Sequence, residues 1–450
     1  MHEAFPDQIR ACRMAPAYDI ELGVDPRASR VTGSQVITYT NNESELLTSI
    51  VLRLLPNAPG YWGVMTVTHL LLTGQSVVPE IELDRTAMHV PLEPPLGPGR
   101  MVNLSMDFAV DVPTNLVSGH GLFSSAHGVM ALPTIYPLIP VYNKRGWNAE
   151  IAPVHGDDVF ADAAIYDVAV TVDDPSGFNL VPTGACGTPD DGTWRCEAAP
   201  MRDSTLILGE TYERSGRDVR GVVVNSYFYE WHAAGGGRAL GVAVNALEAF
   251  NGYFRPYPYR EFDVVETPNY LGGMVCSGLA VVQDGIYPGV STVERLTAHE
   301  VAHQSWMVVV GNDQVNKPWL DEALTQYSTM LYCEAVYGKD RANTILNNVN
   351  VKTHPSLRRA GRDRPAGLPA DADPSHPYID TVYDEGALYF HALRERVGDE
   401  VVFDMLRTYY EQHRFQIATP QSFLDTVEDV TGDRHLDLYE QWVGGLGGRS

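Results

Sequence analysis

The sequence predicts an α+β protein of more than one domain, β-rich at the front and mainly helical at the back. Its 450 residues exceed the roughly 250 at which a single core stops growing. Short segments rich in β-branched and aromatic residues fill the front, and apolar residues recur at helical spacing after Val293. The boundary is placed at Glu213, giving a β-rich domain over 1–213 and a second domain over 214–450.

In chain order, YDIELGVD, RVTGSQVITYTN, LTSIVLRLLPN, MTVTHLLLTG, MVNLSMDFAVDV and AIYDVAVTVDD read as strands separated by Gly, Pro, Asn and Asp clusters. Several alternate apolar with polar, as half-buried antiparallel strands do. Residues 118–156 read as loop, and His120 and His127 within it as ordinary loop residues. Cys186 and Cys196 flank a hairpin whose turn falls at Asp191-Gly192. A bridge there implies an oxidising compartment and slightly favours an extracellular or cell-envelope location; two reduced thiols fit the same residues. Cys12, Cys276 and Cys333 have no obvious partners.

Beyond Glu213, GVVVNSYFY reads as a strand, and HAAGGGRALG as a turn entering a helix. Ser291-Thr292-Val293-Glu294 has the form of a capping box, opening a helix through Trp306. A second helix runs from Pro318 to Gly338, with Leu320, Ala323, Leu324, Tyr327 and Leu331 on one face. Further helices are predicted over Val382–Val397, Glu400–His413 and Pro420–Val430.

Composition narrows the function. Acidic residues outnumber basic ones 57 to 32, a net charge of −25 that disfavours nucleic acid and anionic lipid as partners. No apolar run is long enough to span a bilayer. The start lacks the basic-then-apolar layout of a secretory signal, so an exported form is expected to have lost its leader already. Nothing in the sequence sets an oligomeric state.

The chemistry lies in HEVAH, residues 299–303. His299 and His303, four apart on a helix, share one face and can reach a single ion. Glu300 can lean over the open position of that ion and take a proton from water. A plain amphipathic helix with two surface histidines fits the same five residues. Glu322 shifts the balance: eighteen residues separate it from His303, and a helix–loop–helix of that length can fold it back as a third ligand. Two imidazoles suit zinc better than magnesium. Asp321, beside Glu322, is expected to bond backbone or a neighbouring side chain.

HEVAH, the eighteen-residue gap and WLDEAL together resemble the M1 metallopeptidases, the aminopeptidase N-like zinc enzymes among the gluzincins. TVYDEGALYFHALRERVG is similar to the family's Tyr-x-x-Gly helix, and LGGMVCSGL takes the place of its Gly-x-Met-Glu-Asn loop. The resemblance implies a thermolysin-like zinc domain behind the β-rich one, in a short form lacking the family's C-terminal domains. It implies one Zn²⁺ on His299, His303 and Glu322, Glu300 as general base, and Tyr383 as donor to the oxyanion. It implies a peptide substrate, its backbone pairing along an edge strand at Gly272, Gly273, Met274 and Val275. Three positions depart from the family. Val275 stands where a glutamate grips the substrate's free ammonium, Glu385 where lysine is usual, and Ser305 where tryptophan is common. The first leaves open a peptidase without strict selection for the N-terminal amine, and the fold also leaves open a non-catalytic binding protein.

Overall fold

The computed structural model describes residues 14–444 apart from 117–120, 152, 154–158, 363 and 373–376; Cys12 and His120 lie outside the described residues. The chain divides into two compact units. The first holds Met1–Ile151, Ala161–Leu240 and Pro258–Val293, the second Ala152–Phe160, Gly241–Tyr257 and Glu294–Ser450.

In the first unit, an eight-stranded sheet orders Ala185–Cys186, Thr193–Met201, Ala164–Val172, Ala17–Asp25, Arg30–Thr40, Met101–Asp111, Val64–Leu72 and Gln75–Ser76. Period-two alternation sets its buried face. In Ala17–Asp25 the side chains of Tyr18, Ile20, Leu22 and Val24 are buried while Asp19, Glu21 and Gly23 between them face solvent. At one edge Cys186 pairs across to Cys196, and a disulfide joins them. Asp191 and Gly192 at the hairpin tip both have positive φ, the conformation a two-residue turn of the favoured twist requires.

A four-stranded sheet (Asn179–Pro182, Thr205–Gly209, Val129–Pro133, Ser124–Ala126) lies in the same unit as a five-stranded one. The latter orders Tyr212–Val219, Val222–Tyr229, Glu261–Thr267, Leu279–Gln283 and, at its edge, Gly273–Cys276. One apolar cluster joins the two sheets: Val129, Val181 and Ile207 pack with Tyr212, Tyr229, Val265 and Val281. That shared core is why the division does not fall at the expected 213/214. The five-stranded sheet belongs to the first unit, and this cluster ties it to the four-stranded one.

Three local expectations are corrected. Residues 118–156 are not all loop: Val129–Pro133 is a fully buried central strand, which alternation cannot reveal. The glycines of HAAGGGRALG lie inside the helix Ala233–Tyr253, which starts before them. A Cβ on Gly236 would sit 2.0 Å from the Phe228 ring, and one on Gly235 would sit 2.6 Å from the Tyr287 carbonyl, so these glycines allow close packing. Ser291 is likewise inside its helix, which begins at Val290.

The second unit is mainly helical. The helix Val290–His303 passes into a π-helical segment, Gln304–Val309, and a 3₁₀ turn, Pro318–Leu320, leads to the helix Glu322–Tyr337. Helices Lys339–Arg359, Gly386–Val397, Asp399–His413, Pro420–Thr431 and Leu436–Trp442 follow, with a π-helical turn, Ile379–Glu385, directly before Gly386. Trp319 is fully buried edge-on against Tyr389, Phe423 and Tyr439, which fixes the turn that delivers Glu322. No helix among the described residues is long and apolar enough to cross a membrane.

Candidate metal centre

The helix Val290–His303 presents His299 and His303 one turn apart, both buried. Their rings stand nearly perpendicular, with centroids 4.8 Å apart and Nε2 atoms 3.2 Å apart. Glu322, the first residue of its helix, brings Oε2 to 3.4 Å from the Nε2 of His299 and 3.3 Å from that of His303. Asp321 caps this helix, its carboxylate accepting from the Glu322 N–H at 2.6 Å, so the acid beside the ligand bonds backbone. Ligand atoms of His299, His303 and Glu322 all lie within 4.8 Å of one another.

Oε2 of Glu322 is buried and has no hydrogen-bond donor among the described residues. A buried carboxylate oxygen without a donor is costly, and the groups facing it are two imidazole nitrogens whose lone pairs also seek a positive centre. A divalent cation satisfies all three, and a donor set of two nitrogens and one oxygen suits zinc. The protonation states agree. Burial alone would raise the Glu322 pKa, but positive charge on His303 beside it outweighs burial and holds it at about 2, so the pocket favours a cation against this carboxylate. Burial lowers His299 to about 4, against the opposing pull of Glu322. At neutral pH the carboxylate is therefore ionised and the His299 ring neutral, the forms that bind metal.

Glu300 sits on the same helix and is also buried. Tyr383 comes from the π-helical turn; its ring stacks on His299 at 5.6 Å and its hydroxyl donates to Glu322 Oε1. Two contacts hold this turn against the helix Glu322–Tyr337. Gln326 Nε2 donates to Asp384 Oδ1 at 3.1 Å, and Gly386 approaches Ala323 so closely that an added Cβ would lie 2.6 Å from the alanine's.

The structure thus brings His299, His303, Glu322 and Tyr383 together, with Glu300 on the same helix as the two histidines. Gly272, Gly273, Met274 and Val275 lie in the first unit. Gly272 has φ +98°, and Gly273–Cys276 is the sheet's edge strand, pairing among the described residues with Leu279–Gln283 alone. Val275 and Cys276 are buried, while Met274 packs against the apolar cluster. No sequence motif marks Thr325, whose Oγ1 lies 3.2 Å from His303 Nδ1. Its position three residues after Glu322, on the same helical face, is the signal that could have found it.

Residues 238–442 match the model of the peptidase family M1 domain. Aminopeptidase M1-B of Oryza sativa subsp. japonica is 26% identical over 267 residues, 55% of this chain and 30% of the relative. Aminopeptidase B of Mus musculus is 25% identical over 195 residues, 41% of this chain. The matched regions cover about a third of the length of these relatives, 30% in each case. Among solved structures, an M1 zinc metallopeptidase from Deinococcus radiodurans superposes with TM-score 0.70 at 22% identity, over 97% of this chain and 95% of that one. A two-domain M1 zinc metallopeptidase mutant bound to L-arginine gives 0.72 at 22% identity, over 96% and 94%. The two-domain architecture, β-rich then helical, is therefore shared along nearly the whole chain.

Proposed function

This chain carries a peptidase family M1 domain over residues 238–442, and on that premise we propose that it is a zinc-dependent peptide hydrolase of the aminopeptidase kind. The observation that carries the reading is Glu322 Oε2, buried, without a donor among the described residues, and facing two imidazole nitrogens. His299, His303 and Glu322 would hold the zinc, which when bound supplies a Lewis acid at the substrate carbonyl and lowers the pKa of water.

The remaining steps belong to side chains. Glu300 takes the proton of the attacking water as its oxygen bonds to the carbonyl carbon. It then hands that proton to the departing amine as the C–N bond breaks. The Tyr383 hydroxyl, which here donates to Glu322 Oε1, would donate instead to the carbonyl oxygen as negative charge grows there. Gly272, Gly273, Met274 and Val275 are the proposed segment for backbone pairing with an extended peptide. The Cys186–Cys196 bond supports an oxidising compartment for the protein.

Stripping metal with a chelator is expected to abolish hydrolysis of a fluorogenic peptide, and one equivalent of zinc to restore it. Hydrolysis that survives in metal-free protein, or a purified chain that takes up no zinc, overturns the reading. Selection for the N-terminus is a separate matter, since the position of the family's ammonium-binding glutamate is a buried valine, Val275. Comparing free-amine with N-acetylated peptides decides it. A charge-assisted hydrogen bond is worth about 1.5–3 kcal/mol, so its loss lowers the free-amine preference by about 10- to 150-fold. A strong preference would mean that another acid holds the ammonium.

A further inference from the structure

We propose that Thr325 is a positioning residue of the metal centre: its hydroxyl accepts the Nδ1–H of His303 and so fixes the tautomer and ring angle that turn Nε2 toward the ion. The inference rests on the zinc reading above and extends it to a residue outside the ligand set.

A neutral histidine that ligates through Nε2 must carry its proton on Nδ1, and whatever accepts that proton decides which way the ring faces. His303 Nδ1 lies 3.2 Å from Thr325 Oγ1, and both residues are buried, so the contact is shielded from competing water. His299 differs: its Nδ1 is buried and has no hydrogen-bond partner among the described residues. Of the two ligand rings, His303 is the one anchored from behind.

The anchor comes from the helix that supplies Glu322. Thr325 lies three residues further on, so one rigid element sets both the carboxylate and the ring opposite it. Its neighbours show what an ordinary hydroxyl does in this helix. Ser328 and Thr329 donate back to the carbonyls of Leu324 and Thr325, at 2.7 and 3.0 Å. A hydroxyl also orients the ring without adding negative charge beside Glu322, which a carboxylate in its place would do.

The test is zinc affinity, measured by chelator competition on the whole chain. Thr325→Val removes the acceptor at nearly constant shape and is expected to weaken zinc binding about 10- to 100-fold. Thr325→Ser keeps the hydroxyl and should bind close to the parent. Thr329→Val removes a buried hydroxyl one turn on and should leave affinity unchanged. In cobalt-loaded protein, the visible absorption bands should shift for Thr325→Val and not for Thr329→Val. If the valine variant does not fold, Thr325→Ala carries the same comparison. Equal affinity for parent and Thr325→Val, or equal losses for Thr325→Ser and Thr325→Val, overturns the proposal. A parent that binds no zinc would instead bring down the reading on which it rests.

Discussion

Each unit buries a carboxylate, and the two are treated in opposite ways. In the first unit Asp203 is saturated with donors. Both its oxygens accept from the Ser277 N–H at 3.2 Å, Oδ2 takes the Ser277 hydroxyl at 3.0 Å, and Oδ1 takes Thr205 at 3.4 Å. In the second unit Glu322 keeps one oxygen free of donors among the described residues and turns it toward two imidazoles. Burial pushes Asp203 up to about 6 despite its hydrogen bonds, whereas positive charge on His303 overcomes burial and holds Glu322 at about 2. A buried acid with all its acceptors filled stitches strands together. One that is ionised and left unfilled among ring nitrogens is a place for a cation.

The contrast breaks most visibly at Glu322. Glu322→Ala is expected to lose stoichiometric zinc and with it all peptide hydrolysis, while the metal-free protein still unfolds cooperatively; metal analysis beside a thermal melt checks both. A variant that keeps its zinc would show that the unfilled oxygen is not a ligand. Next in size is Glu300→Gln, which should bind zinc as the parent does but turn over about 100- to 10,000-fold more slowly. Activity equal to the parent's would remove Glu300 from the proton path. Smaller again is Gly386→Ala. The added methyl must push the Tyr383 turn away from Ala323, which should cost about 1–3 kcal/mol of stability and about 10- to 100-fold in kcat, with zinc affinity kept. Full activity there would mean that the close approach does not position Tyr383.

What the sequence made legible follows the same physics. His299 and His303 declare themselves because a helical period of 3.6 puts them on one face, and Glu322 because it opens the next helix. Tyr383 is one tyrosine among 23, and only the resemblance singled it out. Thr325 was missed because a threonine at helical spacing is ordinary until its partner is seen. Strands that border solvent on one face, such as Ala17–Asp25, were readable by alternation, whereas Val129–Pro133, buried on both faces, carries no such mark. The helix Lys339–Arg359 was also unforeseen: its sequence is rich in asparagine and contains Pro355, so local propensity argues against what the fold imposes. The division into units was beyond a linear reading, since it depends on which buried faces meet. The cluster of Val129 with Tyr212 and Val265 joins segments 53 or more residues apart in sequence, as their numbers show.

The change with the smallest expected effect on turnover tests the saturated side of the contrast. The folded-state pKa of Asp203, about 6, lies above the ordinary value of 3.8, so the folded protein holds this proton more tightly than the unfolded chain does. The stabilisation that protonation brings is fully present below about pH 4 and is lost as pH rises through about 6. Its full size is about 3 kcal/mol across that window. Asp203→Asn keeps the shape and an acceptor but cannot titrate, while every other group contributes alike to both proteins. Denaturant unfolding at pH 4 and pH 7.5 should therefore show the parent gaining on the variant as pH falls. A flat difference would mean that the donors around Asp203 fully offset its burial, leaving it as ionised at pH 5 as an exposed acid.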